Sequence, residues 1–229
     1  MRPANPLSED LLYQVKMNKP TEELTNQLAN YSFPLFCQEV NTDGRKKSFW
    51  VNCYNSYFLL LRRSGLDKPK VYTTKAITIA GTKLSLDDIE HGILRRYRYK
   101  YSMGFVRSFF VPNHIKNLAV ERLDYRIHFA LNCGAKSCPP IAFYNADRID
   151  SQLDLASLSF LEGETIDQPE TQEIHISTLF KWYWADFGGR KGIKQILNAK
   201  LGLHTEGKKL VFTPYSWEED LNNYTTFEE

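Results

Sequence analysis

The chain has 229 residues, 42% hydrophobic and 14% aromatic, which is enough to bury a sizeable core and excludes an intrinsically disordered chain. Its 29 basic and 27 acidic residues leave a net charge of +2, so whole-chain charge gives no reason to expect nucleic acid or a membrane as a partner. The longest apolar run, residues 57–61, is far too short to span a bilayer, the opening residues 1–6 lack a signal-peptide core, and four cysteines are too few for a disulfide scaffold, so reduced thiols in the cytoplasm are expected.

In chain order, Ser8 as an N-cap predicts a first helix ending at Met17, with Glu9 and Asp10 placed favourably for its dipole. Pro20 and Thr21 open a second helix over 22–31, and residues 1–34 read as an N-terminal helical extension. After a polar turn at 41–47, residues 49–63 predict a helix buried over most of its circumference. Its polar side collects Asn52, Asn55 and Ser56. Asparagine is unfavourable in a helix middle, so Asn52 and Asn55, three residues apart, either hydrogen-bond neighbouring loops or line a site. Cys53 points among Phe49, Tyr57 and Leu60 and belongs to the core.

A hairpin is expected from 76–80 and 83–85, turning at Gly81 and Thr82. Ser85 and Asp88 then form a capping box for a helix over 86–97, whose apolar stripe is Leu86, Ile89, Ile93, Leu94 and Tyr97. Glu90 falls inside that stripe. Burying an unpaired carboxylate costs several kcal/mol, so cations or donors must meet it. The run Arg95 to Tyr101 is basic and aromatic, as a base-stacking surface would be, or as a solvated helix end would be. The run is short and local, so no appreciable nucleic-acid binding is expected. Residues 101–117 read as a long surface loop.

Residues 126–131 predict a short strand, with Ile127, Phe129 and Leu131 on one face and His128 and Ala130 on the other. The chain then bends at Gly134 and at Pro139-Pro140, carrying Cys133 and Cys138. A histidine followed by two cysteines supplies a base and nucleophiles, or else a satisfied core histidine beside two small thiols. Cys-x4-Cys without a second pair is loose for zinc, and no phosphate loop or dinucleotide fingerprint occurs, so neither metal nor cofactor is expected. From Asp147 an amphipathic helix carries Ile149, Leu153, Ala156 and Phe160 to about Gly163. A polar linker at 164–173 leads to a strand at 174–176 and a helix capped by Ser177. A break at Gly188-Gly189 precedes a helix to Leu201, capped by Gly202, and a strand at 210–212.

Three spaced stretches carry a family resemblance: Phe49-Trp50-Val51-Asn52-Cys53-Tyr54-Asn55, then Ala80-Gly81 with residues 85–95, then residues 126–131 with Cys133, Cys138 and Pro139. They resemble the domain-of-unknown-function family numbered 547. Residues 177–183, Asp186-Phe187 and residues 214–217 resemble the tail that often follows it. The likeness spans about residues 35–222. It implies an α+β fold with helices packed on a small antiparallel sheet, in a papain- or transglutaminase-like arrangement. Residues 35–163 would form the core domain, and 164–229 a helix–strand extension packed on it. No activity attaches firmly to that family. The resemblance implies a site of glutamate, histidine and cysteine, which falls here on Glu90, His128 and one of Cys133 or Cys138, whereas Cys53 sits where relatives carry a small apolar residue.

The helix stripe singles out Glu90, the strand singles out His128, and the resemblance names both. The expected function is a cysteine-dependent hydrolase or acyl transferase acting on a peptide, amide or ester through a Cys–His–Glu set. Cys133 is preferred as nucleophile because it follows the strand directly, with Cys138 in reserve and Asn52 counted in the site. Pairing with Glu90 would favour protonated His128. The alternative is a catalytically silent interaction module in which Glu90, His128 and Asn52 form a buried network.

Overall fold

The computed structural model describes residues 2–226. Helix α1 (Ala4–Lys16) starts a full turn before the expected cap, so Ser8 lies inside it, buried, with its hydroxyl donating to the Asn5 carbonyl at 2.7 Å. Leu7, Leu11, Leu12 and Val15 form a stripe with helical spacing, and it buries against the central helix. Helices α2 (Glu22–Ala29) and α3 (Phe33–Glu39) complete the outer layer. Helix α4 (Asp43–Arg63) opens on Thr42, whose hydroxyl caps the Arg45 N–H at 3.3 Å, and residues Lys46 to Leu59 are all buried. A helix buried all round must satisfy its polar groups internally. Lys46 Nζ donates to the Ala119 carbonyl at 2.7 Å, and Lys47 Nζ pairs with Asp124 at 2.8 Å.

Helix α5 (Lys68–Thr73) precedes the hairpin of β1 (Ile77–Ile79) and β2 (Thr82–Leu84), in antiparallel register Ile77 to Leu84. The turn falls at Ala80-Gly81, both with positive φ, one residue earlier than expected. Its two N–H groups donate to the Leu28 and Ala29 carbonyls at 2.8 Å, which fixes the hairpin on the end of α2. The capping box is present: the Ser85 N–H donates to Asp88 Oδ2 at 2.9 Å and the Asp88 N–H to Ser85 Oγ at 3.1 Å. The helix it opens, Asp88–Leu94, is a π-helix, a form often found at functional sites. Leu86, Ile89, Ile93 and Leu94 are buried as the stripe predicts. Helix α6 (Asn113–Leu118) ends the otherwise exposed loop beyond it.

The segment expected as a strand is a 3-10 helix, Tyr125–Phe129. Two local bonds explain the difference. The Asp124 carboxylate caps the Arg126 N–H at 3.1 Å and also grips its guanidinium, and the Ala130 N–H closes an i→i−3 bond to Ile127 at 2.9 Å. Ile127, His128 and Phe129 are all buried, so there is no exposed face for alternation to report.

Helix α7 (Ile149–Glu164) leads into β3 (Ile166–Gln168) and β4 (Glu173–Ser177), so the expected polar linker is largely a hairpin. Helices α8 (Leu179–Trp182) and α9 (Gly189–Leu201) and strand β5 (Lys209–Thr213) follow. β4 pairs antiparallel with β3 and parallel with β5, which makes this sheet mixed and separate from the β1–β2 hairpin. The fold class is α+β. Two apolar clusters result. The larger joins α1 to α5, the hairpin and the π-helix. The smaller joins α7, α8, α9 and the mixed sheet around Phe180 and Phe187. Ile127 belongs to the first cluster and Phe129 to the second, which places His128 at the seam.

Candidate functional site

Glu90 reaches inward from the π-helix and is 7% exposed. Two tyrosine hydroxyls meet it: Tyr183 donates to Oε1 at 2.6 Å, and Tyr54, from α4, donates to Oε2 at 3.1 Å. The donors that a buried carboxylate requires are therefore present, but His128 is not one of them. The His128 ring stacks on Tyr183 with centroids 3.8 Å apart, and its Nε2 bonds Asp186 Oδ2 at 2.9 Å. The expected Glu90–His128 pair is thus replaced by a His128–Asp186 pair, with Tyr183 placed between the histidine and Glu90. Arg95 completes the set. Its Nε donates to the same Asp186 oxygen at 2.6 Å, and its guanidinium lies over the Tyr183 ring at 4.7 Å. Arg95 is completely buried, although the sequence placed it at the start of an exposed basic run.

Burial pushes the His128 imidazole below its ordinary 6.5, and the Asp186 hydrogen bond only partly offsets this. Burial also works against ionised Asp186 and Glu90, but opposing forces prevail. The His128 bond and the Arg95 charge hold Asp186 low, and neighbouring His91, then Arg95 and the Tyr183 hydroxyl, hold Glu90 low. Burial, the largest influence on the ring, with the Arg95 charge adding to it, favours neutral His128 and not the protonated form that a Glu90 pair would favour. A neutral ring beside a carboxylate donates from Nε2, which leaves the lone pair on Nδ1.

Burial depresses His91 as well as His128, so the unfolded chain takes up these protons first as pH falls below about 6.5, and stability drops there. Glu90 and Asp186 are also depressed, and they add a second loss below the ordinary carboxylate values of 4.5 and 3.8. The melting temperature should therefore fall in two steps on acidification. A curve that stays flat or rises between about pH 7.5 and 5.5 would rule out buried neutral imidazoles.

Cys133 and Cys138 are joined as a disulfide, not reduced as expected. Gly134, at φ +67°, and a Cys138 N–H to Ala135 carbonyl bond of 2.8 Å curl the loop until the two Cα atoms stand 6.2 Å apart, within disulfide reach. The Tyr215 hydroxyl lies 3.0 Å from Cys138 Sγ and 3.5 Å from Cys133 Sγ. The closing segment that carries Tyr215 is held along this loop by the Lys136 N–H to Glu218 and Asp220 N–H to Gly134 bonds. Glu90, His128, Cys133, Cys138, Tyr183 and Tyr215 all line one cavity of about 50 Å³.

Asn52 lies outside it. Its Nδ2 donates to the Tyr144 carbonyl at 2.8 Å and its Oδ1 accepts the Tyr144 N–H at 3.1 Å, so it clamps both backbone polar groups of Tyr144, in the chain that leaves the cysteine loop. Asn55 does the same on the other side: Nδ2 donates to Ala130 and Oδ1 accepts from Asn132, each at 3.0 Å. Cys53 is a buried core thiol, as expected. Among the described residues no cluster of metal-ligating side chains forms, and no helix is long and apolar enough to cross a membrane.

Residues 38–161, more than half of the chain, match the family model described as "Protein of unknown function, DUF547". The chain belongs to the DUF547 family. The match contains Glu90, Arg95, His128 and both cysteines, whereas Tyr183, Asp186 and Tyr215 lie beyond it. No curated protein and no solved structure matches the chain. Sequence patterning did not single out Asp186, Tyr183, Arg95 or Tyr215 as site residues. The signal was in the resemblance: Arg95 closes the stretch 85–95, and Asp186, Tyr183 and Tyr215 stand in the stretches resembling the tail of DUF547 domains.

Proposed function

We propose that this DUF547 protein is a cysteine-dependent hydrolase or acyl transferase acting on an amide or ester bond, with Cys133 as nucleophile and His128 as base. One observation carries this reading. A neutral histidine backed by a carboxylate lines the same cavity as the cysteine pair, although its parts come from distant segments of the chain. The resting disulfide must first be exchanged with an external dithiol, which is oxidised as the two thiols form. Cys133 is the less buried of the two cysteines. Its thiol proton passes to Nδ1 of His128 and the thiolate adds to the carbonyl carbon. Collapse then breaks the bond to nitrogen or oxygen, and the leaving group takes the proton from the imidazolium. Water or a second acceptor releases the acyl group and restores the thiol. Asp186 acts as a positioning residue that holds the ring and its tautomer, and Glu90 acts through the Tyr183 hydroxyl.

The alternative, a silent module, is favoured by two facts: the disulfide itself, and a cavity of only about 50 Å³, room for a few water molecules. Alkylation of the reduced protein separates the two readings. Cys133 should react with iodoacetamide at neutral pH faster than a free thiol, and His128→Ala should slow it by about a hundredfold, the lower end of general-base effects. Cys138→Ala should leave a reactive Cys133. If Cys133 labels at the rate of an ordinary thiol and His128→Ala changes nothing, the silent module is the correct reading.

A further inference from the structure

Residues 91–120 hold six basic side chains, Arg95, Arg96, Arg98, Lys100, Arg107 and Lys116, and no Asp or Glu. That segment therefore carries +6, and the rest of the chain −4 of the net +2. Whole-chain charge conceals the asymmetry. Within the fold, Asp186 answers Arg95 and Asp87 answers Lys100. Arg96, Arg107 and Lys116 have no carboxylate partner among the described residues.

The backbone of this segment is held in place. Arg98 and Arg107 face each other across an antiparallel bridge, the Tyr99 N–H donates to Val106 at 2.9 Å, and the Ser108 N–H donates to Tyr97 at 2.6 Å. Asp186 stands 4.0 Å from Arg98, whereas Arg107 opposite it has no such partner among the described residues and leaves a cation that an external anion can answer. The same loop exposes the most open aromatics among the described residues: Phe110 at 95%, Phe109 at 89%, Tyr101 at 75% and Phe105 at 64%. Adjacent, almost fully exposed phenylalanines on a pinned backbone mark a contact surface.

We propose that this loop is an interfacial anchor for an anionic lipid surface. Phe109 and Phe110 enter the acyl boundary, while Arg96, Arg107 and Lys116 stay at the level of the phosphates. Charge complementarity and the wedge of adjacent phenylalanines favour lipid. A single-strand binder would instead set its aromatic faces along a cationic groove, and Val106 and Met103, exposed beside the aromatics here, have no face to offer a base. The root of the loop also rests on the candidate site. The Ala185 N–H donates to the Met103 carbonyl at 2.9 Å, and Gly104 packs so closely on the Asp186 carboxylate that a Cβ there would collide with it.

The test is co-sedimentation of the full chain with phosphatidylcholine vesicles, with and without phosphatidylserine. Binding should require phosphatidylserine and weaken with salt. Phe109→Ser with Phe110→Ser should lower partitioning by about tenfold or more, and Arg107→Gln with Lys116→Gln by several-fold on the anionic vesicles alone. These side chains are exposed, so unchanged melting curves will show that each variant is folded. Absence of binding, or binding untouched by the phenylalanine pair, would overturn the proposal. So would phenylalanine-dependent self-association in the absence of lipid, or tighter binding of the same surface to a single-stranded oligonucleotide.

Discussion

Asp186→Ala should destabilise the protein by about 3–5 kcal/mol, the usual cost of removing one partner from a buried ion pair. Both side chains of the Arg95–Asp186 pair are 0% exposed, so solvent screens neither. With the carboxylate gone, the Arg95 guanidinium keeps its charge, because arginine does not deprotonate, and Glu90 is already engaged by two tyrosines. His128 also loses the acceptor that fixes its tautomer. Denaturant melts of Asp186→Ala, Asp186→Asn and the double variant Arg95→Met with Asp186→Leu check the account. Asp186→Asn keeps an acceptor for His128 and removes only the charge, so it isolates the electrostatic part. The double variant should recover much of the loss, since an apolar pair leaves no charge to solvate. A cost below about 1 kcal/mol for Asp186→Ala would mean that water reaches Arg95 and that the network is not closed.

Asn55→Ala should cost about 2–4 kcal/mol, because it strands the Ala130 carbonyl and the Asn132 N–H together inside the protein. Its effect reaches the candidate site as well. Asn132 in turn braces the cysteine loop, with Nδ2 donating to Pro139 and Oδ1 accepting from Gly134, each at 2.7 Å. Loosening Asn132 therefore frees the chain between His128 and Cys138. Asn52→Ala makes the comparison, since it removes an equivalent clamp from Tyr144 and leaves Asn132 alone. Amide hydrogen exchange should accelerate at Asn132 in Asn55→Ala and at Tyr144 in Asn52→Ala. Equal acceleration at both amides in both variants would indicate global destabilisation and not two separate clamps.

Features set by short-range chemistry were determined by the sequence alone. The capping box of Ser85 and Asp88, the glycine cap at Gly202, the burial of α4 and the inward aim of Glu90 all arise from side chains within a turn or two of one another. Asparagines in the middle of a buried helix likewise announced that something must hydrogen-bond them. Which groups meet these polar side chains was decided only in the tertiary structure. Asp186 stands 58 residues from His128 and 91 from Arg95, and no periodicity links positions so far apart. Alternation failed at 125–129 for a related reason. A strand declares itself by one wet and one dry face, and here both faces are dry because the segment lies at the seam of two apolar clusters. The number of cysteines and the expected compartment pointed to free thiols, whereas their pairing depends on how Gly134 turns the loop. Charge behaved the same way. Arg95 and Arg107 look alike in a basic run, and only packing decides that one is buried against a carboxylate while the other is exposed and faces water.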